Sequence, residues 1–162
     1  MYRLARSRAL GRGAAQMVSV SAGASGGMNT KFEVREAIQP NDPAVTVGTC
    51  GPLPVSSCLA TDWSVGAVGQ NRLVDTFPKE GSLYASIEAK LVPSGSDGEI
   101  PAGQLCFTPT GRAFFRAGPG VPWASMVDVP RIIVKRKDAD GSYIGLTRTV
   151  LLPPSGAARL AL

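Results

Sequence analysis

The chain has 162 residues, 44% of them apolar, and carries a net charge of +5 with a sequence pI of about 9.4. A chain of this length and composition is expected to form one globular domain that buries about 70% of its unfolded surface and folds without a metal. The charge permits contact with nucleic acid or anionic surfaces without requiring it. Segment 1–13 is basic and is followed by no apolar segment, so we expect no signal peptide in this chain.

Most enzyme classes lack their usual residues here. The chain has no histidine, so the commonest general base and metal ligand is missing. It contains neither a phosphate-binding G-x-x-x-x-G-K-[ST] loop nor a G-x-S-x-G nucleophile motif, and its acidic residues are scattered. The run Asp138–Gly141 resembles the start of a calcium loop, but no glutamate follows at the required distance. We therefore expect a non-enzymatic protein with no cofactor and no metal site.

The first ten residues predict a helix. Leu, Arg and Ala are good helix formers, and Gly11 and Gly13 are expected to end it. Such a basic segment is typical either of a helix that binds nucleic acid or anionic lipid, or of a solvated helix face. The arginines concerned are Arg3, Arg6, Arg8 and Arg12.

Alternating apolar and polar residues predict a series of short antiparallel strands, and the 19 glycines and 13 prolines favour many turns between them. Two of these strands are expected to pair across the turn Pro109-Thr110-Gly111. The predicted strands are Ala15–Ala22, Lys31–Ile38, Ala44–Val47, Arg72–Thr76, Leu83–Leu91, Gln104–Thr108, Arg112–Arg116, a hairpin over Pro130–Leu152 and Ala157–Leu162.

Cys50 and Cys58 are separated by seven residues of a loop rich in proline and glycine. Such a loop bends easily, so we predict a Cys50–Cys58 disulfide, which would stabilise the fold by about 2–3 kcal/mol. Two free structural thiols are the alternative. Cys106 lies in an apolar run and is expected to be a buried small side chain. Trp63, just after the loop, is expected either to cap the core or to form an aromatic ligand platform.

Several short motifs follow one another along most of the chain. In that order they resemble minor pilins and pseudopilins of the FimT/GspH type. The segment Phe107–Arg112, F-x-P-x-G-R, is the most specific of them. The others are Ala5-Arg6-Ser7-Arg8-Ala9-Leu10, Cys50, Cys58, Trp63-Ser64-Val65-Gly66, Arg148-Thr149-Val150 and Pro154-Ser155-Gly156.

The resemblance implies an α+β, mostly β fold in which a short N-terminal helix (1–12) packs on a β-sandwich of two antiparallel sheets (13–162). It implies a periplasmic subunit that joins other minor pilins at the tip of a type IV pilus or a type II secretion pseudopilus. Contact with the inner membrane would come only from an apolar helix that this sequence does not include. Because long loops on a rigid scaffold often carry binding, we expect contacts through Gly48–Trp63 and Ala117–Asp128.

Two other functions remain open from the sequence. A DNA-binding minor pilin for natural transformation would use basic residues near the C-terminus. The candidates are Lys135, Arg136, Lys137, Arg148 and Arg159. An unrelated β-sandwich protein, structural or adhesive, would instead have no prepilin leader encoded in its gene.

Overall fold

The structure is a computed structural model that describes residues 1–21, 30–39, 53–64, 70–78, 87–93, 98–138, 140–154 and 158–161. It confirms the predicted class: one short helix and two antiparallel sheets. The predicted strand Ala44–Val47 and the start of the predicted strand Leu83–Leu91 lie outside these residues. The elements are α1 (Tyr2–Arg12), β1 (Gln16–Ser21), β2 (Lys31–Ala37), β3 (Asn71–Phe77), β4 (Ile87–Val92), β5 (Gly103–Phe107), β6 (Ala113–Arg116), β7 (Ala124–Ser125), β8 (Arg131–Lys137), β9 (Tyr143–Leu151) and β10 (Arg159–Ala161).

Six strands form a large sheet in the order β3-β2-β1-β5-β6-β7, and four form a small sheet in the order β10-β9-β8-β4. The predicted pairings of β1 with β2, β5 with β6 and β8 with β9 are present and antiparallel. The two-residue strand β7 is an addition that the sequence pattern did not indicate. Its few residues give no alternation from which a strand could be recognised.

One face of the large sheet, called the inner face here, packs against both α1 and the small sheet. Tyr2, Ala5 and Ala9 point from one side of α1 into this core, as their helical spacing dictates. The Tyr2 ring meets Phe107 edge-on at 4.9 Å between centroids, and its hydroxyl donates to the Pro153 carbonyl at 2.7 Å. The start of the helix is thereby joined to both sheets.

A buried carboxylate holds the other end of α1. Glu36 on β2 is only 2% exposed and pairs with Arg8 at 3.0 Å, Arg12 at 3.2 Å and Arg72 at 2.8 Å. The helix runs to Arg12 and ends at Gly13, whose φ of 69° suits glycine. Arg8 and Arg12 therefore anchor the helix to the sheet, a role that the sequence did not indicate, although Arg12 also remains half exposed to solvent.

Thr30 joins the two sheets at the edge of β4. Its hydroxyl accepts from the Ala89 N–H at 2.8 Å and donates to the Ala89 carbonyl at 3.2 Å, while its own N–H donates to the Ile87 carbonyl at 3.0 Å. These bonds satisfy backbone groups that an edge strand would otherwise leave unpaired.

Gly103 allows β5 of the large sheet to lie close to β4 of the small sheet. A Cβ at this position would lie 2.5 Å from Leu91 Cδ2 and 3.3 Å from Phe115 Cε2. Leu91 is fully buried, so its side chain has little room to shift.

We therefore expect Gly103→Ala to lower the free energy of unfolding by about 1–3 kcal/mol, the usual effect of overpacking. Chemical denaturation measures this change. Gly118→Ala is the matched control, because no atom lies within 4 Å of its added Cβ, and it should alter stability by no more than about 0.5 kcal/mol. Equal stability of the two variants would contradict the close approach of the sheets.

A second prediction concerns Glu36. Burial alone would raise the pKa of its carboxyl, but Gln16 and the guanidiniums of Arg8 and Arg72 outweigh this and hold the pKa below its ordinary value of 4.5. Gln16 lies directly opposite Glu36 on the neighbouring strand and lowers the pKa of its carboxyl. The amide nitrogen and oxygen of Gln16 nevertheless make no hydrogen bond that satisfies the usual distance and angle limits. Because the pKa is lower in the folded state, the stabilisation is complete above the unfolded-state pKa and is lost as the pH falls through the folded-state pKa.

Glu36→Gln should therefore lower the free energy of unfolding at pH 7 by about 2 kcal/mol. This is less than the cost of breaking a fully buried ion pair, because the arginines are partly exposed to solvent. The difference from the wild-type protein should shrink on acidification below the ordinary carboxyl pKa, as followed by denaturant titrations across pH. Glu99→Gln is the control, since Glu99 pairs with Lys90 in a more exposed position. A difference that does not vary with pH would refute the charged role of Glu36.

Candidate functional site

A disulfide joins the segment 53–64 to the middle of the large sheet. Cys58 bonds Cys106 of β5, and both side chains are buried on the outer face, opposite α1. The predicted Cys50–Cys58 disulfide is therefore wrong, whereas Cys106 is buried as expected and is the partner of Cys58. The prediction relied on proximity along the chain, whereas folding joins cysteines 48 residues apart. Cys50 lies outside the described residues.

Trp63 and a short run of backbone bonds fix the same segment. The indole is 3% exposed and donates to the Cys58 carbonyl at 2.9 Å. The Val55 carbonyl accepts from Ala15 N–H at 2.7 Å, and the Val55 N–H donates to Ala37 at 3.2 Å. The core-capping interpretation of Trp63 is confirmed, and its use as a ligand platform is wrong because the ring is buried.

The two loops expected to bind partners meet on this outer face. Val55 from the first loop and Trp123 from the second pack on the same cluster around the disulfide. We call the combined surface the loop face: segment 53–64, the turn 108–112 and segment 116–125. The part of Gly48–Trp63 before residue 53 lies outside the described residues.

Arg116 is the most constrained charged side chain of the loop face. Its guanidinium stacks 4.3 Å from the centroid of the Trp123 ring, and its Nε donates to Gln104 Oε1 at 2.5 Å. Burial lowers the pKa of Arg116, and the nearby Asp62 carboxylate opposes that shift. Within the described part of the chain, the two terminal nitrogens of Arg116 have no hydrogen-bond or ion-pair partner.

A cleft of about 390 Å³, with both polar and apolar walls, separates segment 53–64 from the β5–β6 turn. The F-x-P-x-G-R motif forms one wall, and its Gly111 adopts a φ of 83°. Thr108 Oγ1 lies 2.9 Å from Thr110 Oγ1 and accepts from the Arg112 N–H at 3.2 Å, so the turn is locked. The Arg112 side chain also lines the cleft. The full lining is Ser56, Ser57, Cys58, Leu59, Thr108, Pro109, Thr110, Arg112 and Phe114.

The basic residues predicted to contact DNA lie on both faces of the small sheet. Lys135 and Lys137 lie 5.2 and 5.1 Å from the Tyr143 ring, and Lys137 also pairs with Glu88 at 3.1 Å. Arg136 alternates with these lysines along β8 and so lies on the other face of the small sheet. The other two predicted contacts are further along the chain; they are Arg148 on β9 and Arg159 on β10.

A second concavity, of about 430 Å³, lies between the sheets beside the start of α1. Its walls are mostly apolar. The polar groups of Tyr2 and Arg3 on its lining are already bonded to the carbonyls of Pro153 and Ala158. It therefore offers few polar groups to orient a ligand, in contrast to the loop face.

The sequence did not single out Arg116 or Gln104 as candidate site residues, and it included Trp123 only as part of the loop Ala117–Asp128. The register of the β5–β6 hairpin, which places Gln104 opposite Arg116, could have been extrapolated from the predicted turn at 109–111. The stacking of Trp123 on Arg116 could not have been predicted, because it depends on the path of segment 117–123.

Among the described residues, no helix is both long and apolar enough to cross a bilayer, and no group of potential metal ligands occurs. Comparisons with protein-family models, with characterised proteins and with solved structures found no match.

The disulfide gives a direct test of the loop face. In the chain-entropy description, a loop of 48 residues contributes about 4 kcal/mol. Cys58→Ala combined with Cys106→Ala should therefore lower stability by about 2–4 kcal/mol, measured by denaturation in the absence of reductant. Peptide mapping of the unreduced protein should recover the Cys58–Cys106 link, whereas a Cys50–Cys58 link would contradict the structure. Cys50→Ala is the control and should leave the Cys58–Cys106 link intact.

Proposed function

We propose that this protein is a non-enzymatic subunit of the minor pilin or pseudopilin type. In this role it helps to initiate or cap a type IV pilus or a type II secretion pseudopilus, together with other minor pilins. The observation that carries the proposal is the docking of α1 across the inner face, through Tyr2 at one end and Glu36 at the other. This is the helix-on-sandwich arrangement that the sequence resemblance implies.

The division of the molecule into two sides supports the same role. The helix lies on the inner face of the large sheet, while the loop face covers the outer one. A filament subunit needs one side for helix packing and another for neighbouring subunits. The disulfide supports a periplasmic location, because such bonds persist in oxidising compartments.

The DNA-binding alternative receives less support from the arrangement of its candidate residues. Binding along a phosphate backbone requires basic side chains on one continuous surface. Here Lys137 already forms an ion pair with Glu88, and Arg136 lies on the opposite face of the small sheet from Lys137. We therefore prefer the assembly role.

Deletion of the gene in the source organism tests this proposal. We expect loss of surface pili in electron micrographs, or loss of a type II secreted protein from the medium, with recovery when the wild-type gene is supplied. The gene should also encode a short basic leader and an apolar segment of about 20 residues ahead of Met1. Normal piliation and secretion in the deletion strain, with no such leader, would refute the proposal.

A further inference from the structure

We propose that the loop face binds an acidic, extended peptide segment, with Arg116 and Arg112 each receiving one carboxylate. The chemistry of this ligand follows from the geometry of the face. Only its source, a neighbouring filament subunit, rests on the proposed function.

Arg116 is preorganised to receive a carboxylate. Trp123 supports the flat side of its guanidinium, and Gln104 occupies its Nε. No other described residue bonds the two terminal nitrogens, and they form the fork that matches the two oxygens of a carboxylate. Since the side chain is already fixed, binding loses little of its rotamer entropy.

Arg112 supplies the second position. It lies four residues before Arg116 on the same side of the hairpin, with Phe114 between them. At about 3.3 Å per residue, the two positions are about 13 Å apart. Carboxylates four residues apart match this separation in an extended peptide, whereas in a helix they lie only about 6 Å apart.

The apolar parts of the face also suit a peptide. Phe114 and Arg112 both line the cleft, and Leu59, which also lines it, is 62% exposed. The apolar residues between the two acidic positions of a ligand can pack on these side chains. The hydroxyl of Ser56 adds a polar contact for its backbone, whereas Ser57 Oγ already accepts from the N–H groups of Leu59 and Ala60.

Asp62 favours a peptide over a nucleic acid. Its carboxylate is exposed and interacts with Arg116, although the two do not form an ion pair in the described structure. Hydrogen bonds from Ser64 hold the pKa of Asp62 below its ordinary value, so it is charged at neutral pH. A continuous phosphate backbone would pass close to this charge, while a peptide can place a neutral residue beside it.

Fluorescence titration with two peptides tests the proposal. The first is Glu-Val-Thr-Val-Glu with blocked ends, and the second has both glutamates replaced by glutamine. Trp63 is buried, so a change in emission is expected from Trp123, and Trp123→Phe should abolish it. We expect the acidic peptide to bind at least about tenfold more tightly than the glutamine peptide.

Substitutions of the two arginines test whether the peptide binds at the loop face. Arg116→Gln should weaken binding of the acidic peptide about tenfold or more, and Arg112→Gln about threefold. Arg116→Lys keeps the charge but loses the fork, and should recover only part of the affinity. Arg136→Gln is the matched control, because Arg136 is a basic residue on the small sheet. This substitution should not change the affinity for the acidic peptide. Thermal unfolding shows whether each variant is folded.

Three results would overturn the proposal: equal binding of the two peptides, an Arg116→Gln variant no weaker than Arg136→Gln, or a single-stranded oligonucleotide that binds more tightly than the acidic peptide through Arg116. These failures are separable from failure of the assembly role. If gene deletion abolishes pili but the peptide does not bind, the proposed function stands and the peptide site is refuted. If the peptide binds but deletion affects neither pili nor secretion, the peptide site stands and the proposed function is refuted.

Discussion

The structure depends on the need to cover both faces of the large sheet. All of β5, and most of β1, is buried, with apolar side chains pointing to both sides. A sheet of this kind is stable in water only if each face is packed against another layer. On the inner face α1 and the small sheet provide that layer. On the outer face segment 53–64 provides it, and the Cys58–Cys106 bond and buried Trp63 keep it in place. The candidate site is therefore built from parts that the core requires.

Glu36 has a comparable role for the helix. α1 has only 11 residues, a length that is marginal for an isolated helix in water, so its order comes from tertiary contacts. Its buried residues are small apart from Tyr2, and alanines bury little apolar area. Charge-assisted hydrogen bonds from Arg8 and Arg12 to one carboxylate supplement this weak apolar contact. Because Arg72 joins the same carboxylate from β3, the helix is tied to two neighbouring strands of the sheet.

Local sequence patterns gave the class of fold and most strands, since alternation reports directly which side of a strand is buried. They could not give contacts between distant segments. The disulfide partner of Cys58, the carboxylate that holds Arg8 and the ring beneath Arg116 all come from elsewhere in the chain. The predicted DNA contacts are divided between two faces of the small sheet for a related reason: consecutive residues of a strand point to opposite faces. Lys135 and Arg136 are neighbours in sequence but not on the surface.

The two sides of the molecule share one strand. In β5, Phe107 packs against Tyr2 of α1, while the adjacent Cys106 bonds the loop that forms the candidate site. Disorder in this strand would loosen the helix and the loop face together, because Phe107 and Cys106 are adjacent residues of it. Conversely, a partner that binds the loop face stabilises the native state by mass action and so stabilises the docked helix with it. In the filament subunit proposed above, this shared strand would link the helix contacts and the loop contacts energetically.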